Sequence, residues 1–263
     1  MLDFLQYLAI LALSIVVLSR FQITNFYMRA TYYGFALIFG GLIGGLVSIP
    51  YGKSTNNHFR MFKVFQFFTL PLGLTYELRN NAILQDEEPY IMIANHQSAL
   101  DVLGMSYAWP VNCIVMLKSS LKFLPGFNLC AYLCESVYIN RFSKVKAHKT
   151  VDNTLHEIIT RERKVWIYPE GTRNAEPELL PFKKGAFLLA MQANIQIVPC
   201  VFSSCKFFYN FAEKRFTSGH TIIDILPPID TSKFDSVDEL SKHCREIVQN
   251  HREKLDLEVA KSI

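Results

Sequence analysis

The sequence has no Cys-x-x-Cys pair, although its 263 residues include six cysteines. No histidine stands at zinc-site spacing beside Cys113, Cys130, Cys134, Cys200, Cys205 or Cys244, which excludes zinc ribbons and fingers. No metal site is indicated. Cys130 and Cys134, four apart, read as small core residues, and reduced thiols place the domain that carries them in a reducing compartment. Charge is scarce too. Charged residues make up 19% of the chain and the net charge is +4, too little to argue for nucleic acid but suited to an anionic membrane surface or a phosphorylated substrate. No internal repeat or low-complexity segment is present. No basic residue precedes the first apolar run and no small-residue cleavage pattern follows it, which argues against a cleaved signal peptide.

What the sequence has in quantity is apolar residues, 50% of the chain, and a positive mean hydropathy suggests membrane contact. Residues 2–19 are almost wholly apolar and close at Arg20, near the roughly 20 residues that a bilayer core needs. Residues 30–50 form a second such stretch. Its Gly40-Gly41-Leu42-Ile43-Gly44-Gly45 core places small residues at spacings of three and four, suited to close packing against the first helix. The simplest reading is a transmembrane hairpin over residues 1–52. Arg20 and Arg29 lie in its loop, while Lys53, Arg60 and Lys63 follow it, a balance that slightly favours a cytosolic side for the remainder. Over 57–70, Arg60, Lys63 and Gln66 recur every third residue among Phe59, Phe62, Phe65, Phe67 and Phe68. A wide aromatic face with a narrow basic stripe predicts a helix in the membrane interface, within residues 53–75; a core helix of the globular domain is the alternative.

Residues 76–263 alternate strand-like and helical patterns. Strand-like runs fall at 90–94, 113–117, 136–139, 165–168, 195–202 and 221–226. A helical pattern is clearest at 145–160, and Ser236-Val237-Asp238-Glu239 opens the last helix as a capping box. The expected fold is α/β, a mostly parallel sheet flanked by helices.

The candidate chemistry sits where strands end. Tyr90-Ile91-Met92-Ile93-Ala94 reads as a buried strand that stops in Asn95-His96-Gln97-Ser98, before Ala99 to Met105 opens a helix. Open α/β sheets place reactive groups at such junctions. His96 can take a proton near neutral pH, and does so better when a carboxylate holds its other ring nitrogen. Five residues are about 500° of helix, so Asp101 reaches His96 only if the histidine lies in the turn; a capping histidine with an exposed aspartate is the plainer reading. A second junction ends in Pro169-Glu170-Gly171-Thr172-Arg173. Gly171 permits a tight turn, Thr172 offers a hydroxyl, and Arg173 presents a fork suited to phosphate. Glu170 could hold that arginine or a substrate hydroxyl; an ordinary turn with a surface ion pair is the alternative. Arg141 and Lys118 end two further strands, and Lys183-Lys184 precede an apolar helix. Positive charge at several strand ends, beside one histidine–carboxylate pair, suggests a base working next to a bound phosphate.

Four blocks in order resemble the glycerolipid acyltransferase family. Asn95-His96-Gln97-Ser98-Ala99-Leu100-Asp101 matches its His-x4-Asp motif, and Tyr168-Pro169-Glu170-Gly171-Thr172-Arg173 its Phe-Pro-Glu-Gly-Thr-Arg. Glu135 through Arg141 corresponds to Gly-x-x-Phe-Ile-x-Arg, with Glu135 standing where that block has glycine. Ile197-Val198-Pro199-Cys200 resembles the fourth. The segment from Leu180 to Phe187 also looks like the eukaryotic lysophosphatidic acid acyltransferases. The resemblance implies acyl transfer from acyl-CoA to the sn-2 hydroxyl of lysophosphatidic acid, with acyl-CoA as substrate and no cofactor. His96 would be the base and Asp101 its orienting partner. Glu170, Gly171, Thr172 and Arg173 would form the acceptor site, assisted by Arg141, Lys118 and Lys183. It further implies an endoplasmic-reticulum membrane protein whose partners are its two substrates and the bilayer. Glycerol 3-phosphate or another lysophospholipid as acceptor, hydrolysis of the acyl donor, and lipid binding without catalysis are the alternatives.

Overall fold

The computed structural model describes residues 2–18, 20–123, 127–139 and 144–262. Helices α1 (Leu2–Leu18), α2 (Gln22–Ser48) and α3 (Asn57–Thr69) lead into β1 (Leu74–Arg79) and β2 (Tyr90–Ala94). Then follow α4 (Asp101–Tyr107), β3 (Cys113–Lys118), α5 (Phe127–Leu133), β4 (Val137–Ile139), α6 (Lys144–Arg161) and β5 (Lys164–Ile167). The chain continues through α7 (Gly185–Ala193), β6 (Gln196–Phe202), a small hairpin of β7 (Tyr209–Asn210) and β8 (Arg215–Phe216), β9 (Gly219–Ile225) and α8 (Val237–Ser262).

One sheet runs β1-β9-β6-β2-β5-β3-β4. Its pairings are parallel apart from β6 with β9, where the β1–β9 edge turns over. Successive side chains of a strand point to opposite faces, and β2 is apolar at every position, as a strand buried on both sides must be. Ile91 and Ile93 pack with Ile158 of α6, Phe187 of α7 and Val248 of α8. Tyr90, Met92 and Ala94 pack on the opposite face with Met105 of α4 and Trp109. The expected mostly parallel α/β sheet is present, and β1 is an addition to it: the expected boundary at 75/76 falls inside this strand.

The glycines of α2 do not serve α1. A Cβ on Gly44 would lie 2.9 Å from the Met61 Cα of α3, and one on Gly40 3.1 Å from the Phe65 Cα. Gly41 and Gly45 face Cys130 and Leu129 of α5. The small residues expected to seat the first helix therefore seat the helix pair that follows them. Among the described helices, the stretch Gln22–Tyr51 is the one long and apolar enough to cross a membrane, whereas α1 has 17 residues. Helix α3 is packed on two sides, by Met61 and Phe65 beneath α2 and by His58 and Phe62 against Trp109, leaving Lys63, Phe67 and Leu70 exposed.

Candidate active site

Parallel neighbours β2 and β5, registered through Ile93 and Ile167, deliver both expected junctions to one edge of the sheet. Beyond β2 the chain is pinned before it reaches the histidine. The Asn95 amide donates to the Phe202 carbonyl at 3.0 Å and accepts the Phe202 N–H at 2.8 Å, imitating one more rung of the ladder to β6. Gln97 repeats the device, donating to the Ser203 carbonyl (2.9 Å) and accepting the Cys205 N–H (3.1 Å). His96 is thus held between two residues whose side-chain amides each donate one bond and accept another.

The pair forms. His96 Nδ1 lies 2.6 Å from Asp101 Oδ2. That same oxygen accepts the N–H groups of Gln97 (2.6 Å) and Ser98 (3.0 Å), because Asp101 opens α4 where free N–H groups point and the helix dipole favours negative charge. A carboxylate only accepts, so Nδ1 carries the proton and Nε2 keeps its lone pair. The His96 side chain is 19% exposed and Asp101 5%, so the imidazole is reachable and the carboxylate is not. Beneath the imidazole lies the Tyr168 ring, at 4.1 Å between centroids and 23° between planes. Burial, then the Asp101 charge, holds the Tyr168 phenol well above its ordinary pKa, so the platform is neutral. Tyr33 of α2 donates to the Ala99 carbonyl at 2.7 Å, inside the loop that joins base to carboxylate.

Glu170 is placed otherwise than expected. It is 2% exposed, and its two oxygens accept the N–H groups of His96 (2.8 Å) and Leu180 (3.0 Å). It holds the two loops together and leaves Arg173 alone. Burial raises its pKa, opposed by those two N–H groups and by the charges of Arg252 and His96. The next residues return to the histidine: the Asn174 N–H donates to the His96 carbonyl at 2.8 Å. Gly171, at φ +70°, makes the turn between. Thr172 and Arg173 are exposed, and Arg173 forms no hydrogen bond or ion pair among the described residues. Its charge reaches the buried face of Tyr209, where it opposes the rise that burial imposes on that phenol.

Of the lysine pair, Lys183 lies against the second junction. Its side chain crosses the Gly171 Cα, and its N–H donates to the Pro169 carbonyl at 2.8 Å. Lys184 turns away to Asp238 of α8, at 2.6 Å. Lys118 is exposed at the end of β3, on the same edge of the sheet. Arg141 lies outside the described residues. Glu135, at the family's glycine position, has φ +56°, the left-handed region where glycine costs least. Its carboxylate is held by Arg163 (2.6 Å) and Arg161 (3.0 Å), contacts a glycine could not make. Asn95, Gln97, Tyr168 and Tyr33 complete the framework; the sequence pattern placed none of them in it, since the partners of Asn95 and Gln97 are more than a hundred residues away.

The Acyltransferase family profile matches residues 75–203. The Caenorhabditis elegans protein acl-1, to which the name 1-acyl-sn-glycerol-3-phosphate acyltransferase is assigned, is 71% identical over 259 residues, 98% of each chain. Human 1-acyl-sn-glycerol-3-phosphate acyltransferase beta is 45% identical over 167 residues, covering 63% of this chain and 60% of the human one. The crystal structure of the 1-acyl-sn-glycerophosphate (LPA) acyltransferase PlsC of Thermotoga maritima superposes with a TM-score of 0.68 at 21% identity, over 89% of this chain and 94% of that one. The fold is shared with PlsC, and the near-full-length identity decides the family: this chain belongs to the 1-acyl-sn-glycerol-3-phosphate acyltransferases.

Proposed function

We propose that the protein transfers a fatty acyl group from acyl-CoA to the sn-2 hydroxyl of lysophosphatidic acid, giving phosphatidic acid. The observation that carries this reading is the 2.6 Å His96–Asp101 pair, with the His96 carbonyl bonded to Asn174, the neighbour of an exposed arginine fork that is unpaired among the described residues. His96 Nε2 removes the hydroxyl proton as that oxygen attacks the thioester carbonyl. The tetrahedral intermediate collapses with cleavage of the C–S bond, and the imidazolium returns its proton to the departing thiolate. The acceptor hydroxyl is the nucleophile, so no acyl-enzyme is needed. Arg173 binds the acceptor phosphate by its two parallel N–H groups, with Lys183 beside it; Lys118 and Arg141 lie on or follow neighbouring strands and serve the phosphates of either substrate. Glu170 positions rather than binds.

Membrane association through α1 and α2 supports substrates that carry long chains. The exposed apolar residues Phe35, Ile38, Phe39, Leu42, Leu46 and Val47 line the outer side of α2, and Phe67 of α3 and Leu70 at its end are exposed as well. We place the site on the cytosolic side of the endoplasmic reticulum; unpaired thiols at all six cysteines agree with a reducing compartment. The test is CoA release by purified protein with lysophosphatidic acid, glycerol 3-phosphate or lysophosphatidylcholine, for the wild type and His96→Ala. Release should require lysophosphatidic acid and fall about 10²–10⁴-fold in the variant, the usual contribution of a positioned base. Acceptor-independent release, or an undiminished variant, would overturn it.

A further inference from the structure

Helix α8 turns a stripe of side chains to the sheet: Leu240, Cys244, Val248, Leu255 and Val259, none more than 3% exposed. Arg252 occupies that stripe at 1% exposure. Its Nε and both terminal nitrogens lack a hydrogen-bond partner among the described residues. The nearest anion on its own helix is Asp256, with Nε to Oδ2 at 3.8 Å. A leucine would fill that place without the several kcal/mol that burying a charge costs. Two carboxylates stand within reach of its charge, the buried Glu170 and the partly buried Asp256.

Both hold the active-site framework by backbone N–H groups. Glu170 takes those of His96 and Leu180. Asp256 takes that of Ser204 at 2.5 Å, between the Ser203 carbonyl and Cys205 N–H that grip Gln97, and Gln97 in turn donates its N–H to Asp101. We propose that Arg252 is a positioning residue of the active site: it keeps Glu170 and Asp256 ionised, and so keeps both anchors of the dyad loop in the accepting form.

Burial raises the pKa of each carboxylate; the backbone N–H groups they accept oppose it first, and the Arg252 charge follows as the largest charge acting on either. The other charges do less or pull apart: His96 acts on Glu170 from the end of β2, while Lys206, beyond β6, and Glu253 act on Asp256 with opposite signs. Burial pushes the Cys205 thiol, which also faces Arg252, up to about 12, so it brings no competing negative charge near neutrality. Without Arg252, Glu170 protonates at a higher pH, gains a proton of its own to donate, and holds the His96 N–H less well.

The inference deepens the catalytic reading above and is tested partly without it. Amide exchange of full-length protein in detergent, corrected for intrinsic rate, is followed at the peptides containing His96, Leu180 and Ser204 in the wild type, Arg252→Met and Arg252→Lys. Protection at His96 should fall at least about tenfold at neutral pH in Arg252→Met and recover as pH rises, while Arg252→Lys stays near wild type. In acyl transfer, the acid limb of kcat/KM should move up by about one pH unit in Arg252→Met, and return when Glu170→Gln is added. Arg252→Gln is the second neutral variant should Arg252→Met not fold. Unchanged protection together with an unmoved acid limb, at whatever loss of melting temperature, would show that Arg252 only packs and overturn the proposal. A wild type without acyl transfer would sink the catalytic reading while the exchange arm still decided the role of Arg252.

Discussion

Arg173 and Lys183 differ in what they can offer a phosphate. The guanidinium, unpaired among the described residues, is planar, and the ammonium of Lys183 is a point charge. Arg173→Lys should therefore raise KM for lysophosphatidic acid about tenfold or more with little change in kcat, since a contact made equally to ground and transition state alters binding alone. Lys183→Ala should raise it less. Steady-state kinetics over a range of acceptor concentrations separates the two parameters, and a fall in kcat at constant KM would remove Arg173 from phosphate binding. At this scale the sequence was informative about groups whose partners are local. His96 and Asp101 are five residues apart, in a turn the strand end announces. The bonds of Glu170 were not legible because its partners are the backbones of His96 and Leu180, which no side-chain pattern reveals. Glu135 was visible as a departure from glycine, but neither its positive φ nor its two arginines could be read from the chain. Arg252 hid in a helix whose many charges read as a solvated exterior.

Among the elements, α2 and α3 carry the clearest consequences. Gly44→Leu would drive a side chain against the Met61 backbone, where even a Cβ lies at 2.9 Å, and should lower the melting temperature in detergent sharply. Gly34, with nothing within 4 Å of where an added methyl would stand, should accept alanine and gain up to about 1 kcal/mol of helix propensity. Equal effects would refute the α2–α3 seam. His58 sits beneath this seam, its ring 4.3 Å from that of Trp109. Burial depresses its pKa from 6.5 to about 4, with the Arg163 charge adding to the fall. The unfolded chain then takes up a proton that the folded one refuses. Stability should be full above about pH 6.5 and drop by about 3 kcal/mol as pH falls to about 4. His58→Gln, weaker at neutral pH through lost packing, should melt with a flatter pH dependence across that window; an equally steep slope would assign the acid loss to another group. The central strands and the helices after them were legible because fully apolar runs end in turn residues. β1 was not: Leu74-Thr75-Tyr76-Glu77-Leu78-Arg79 alternates as a half-covered edge strand does, next to an aromatic helix that dominates the local pattern.

For the whole molecule, the class of sheet followed from alternating strands and helices, whereas the reversal at β6–β9 depends on a long-range pairing without a sequence signature. Helix α2, expected within a membrane hairpin, also packs on the elements that follow it. Helix α2 is buried at Phe26, Tyr33, Ala36, Gly40 and Gly44, against β8, α3 and the loop between His96 and Asp101. Removing residues 1–52 should uncover Met61 and Phe65 and release Ala99, giving aggregated protein without acyl transfer in size-exclusion and activity assays. A monodisperse, active truncation would contradict this packing.

The bond from Tyr33 to the Ala99 carbonyl, 2.7 Å long, then acquires a mechanical meaning. On the proposed membrane placement, a force that tilts α2 would reach the backbone between His96 and Asp101, and lateral pressure in the lipid would become a load on the proton transfer proposed there.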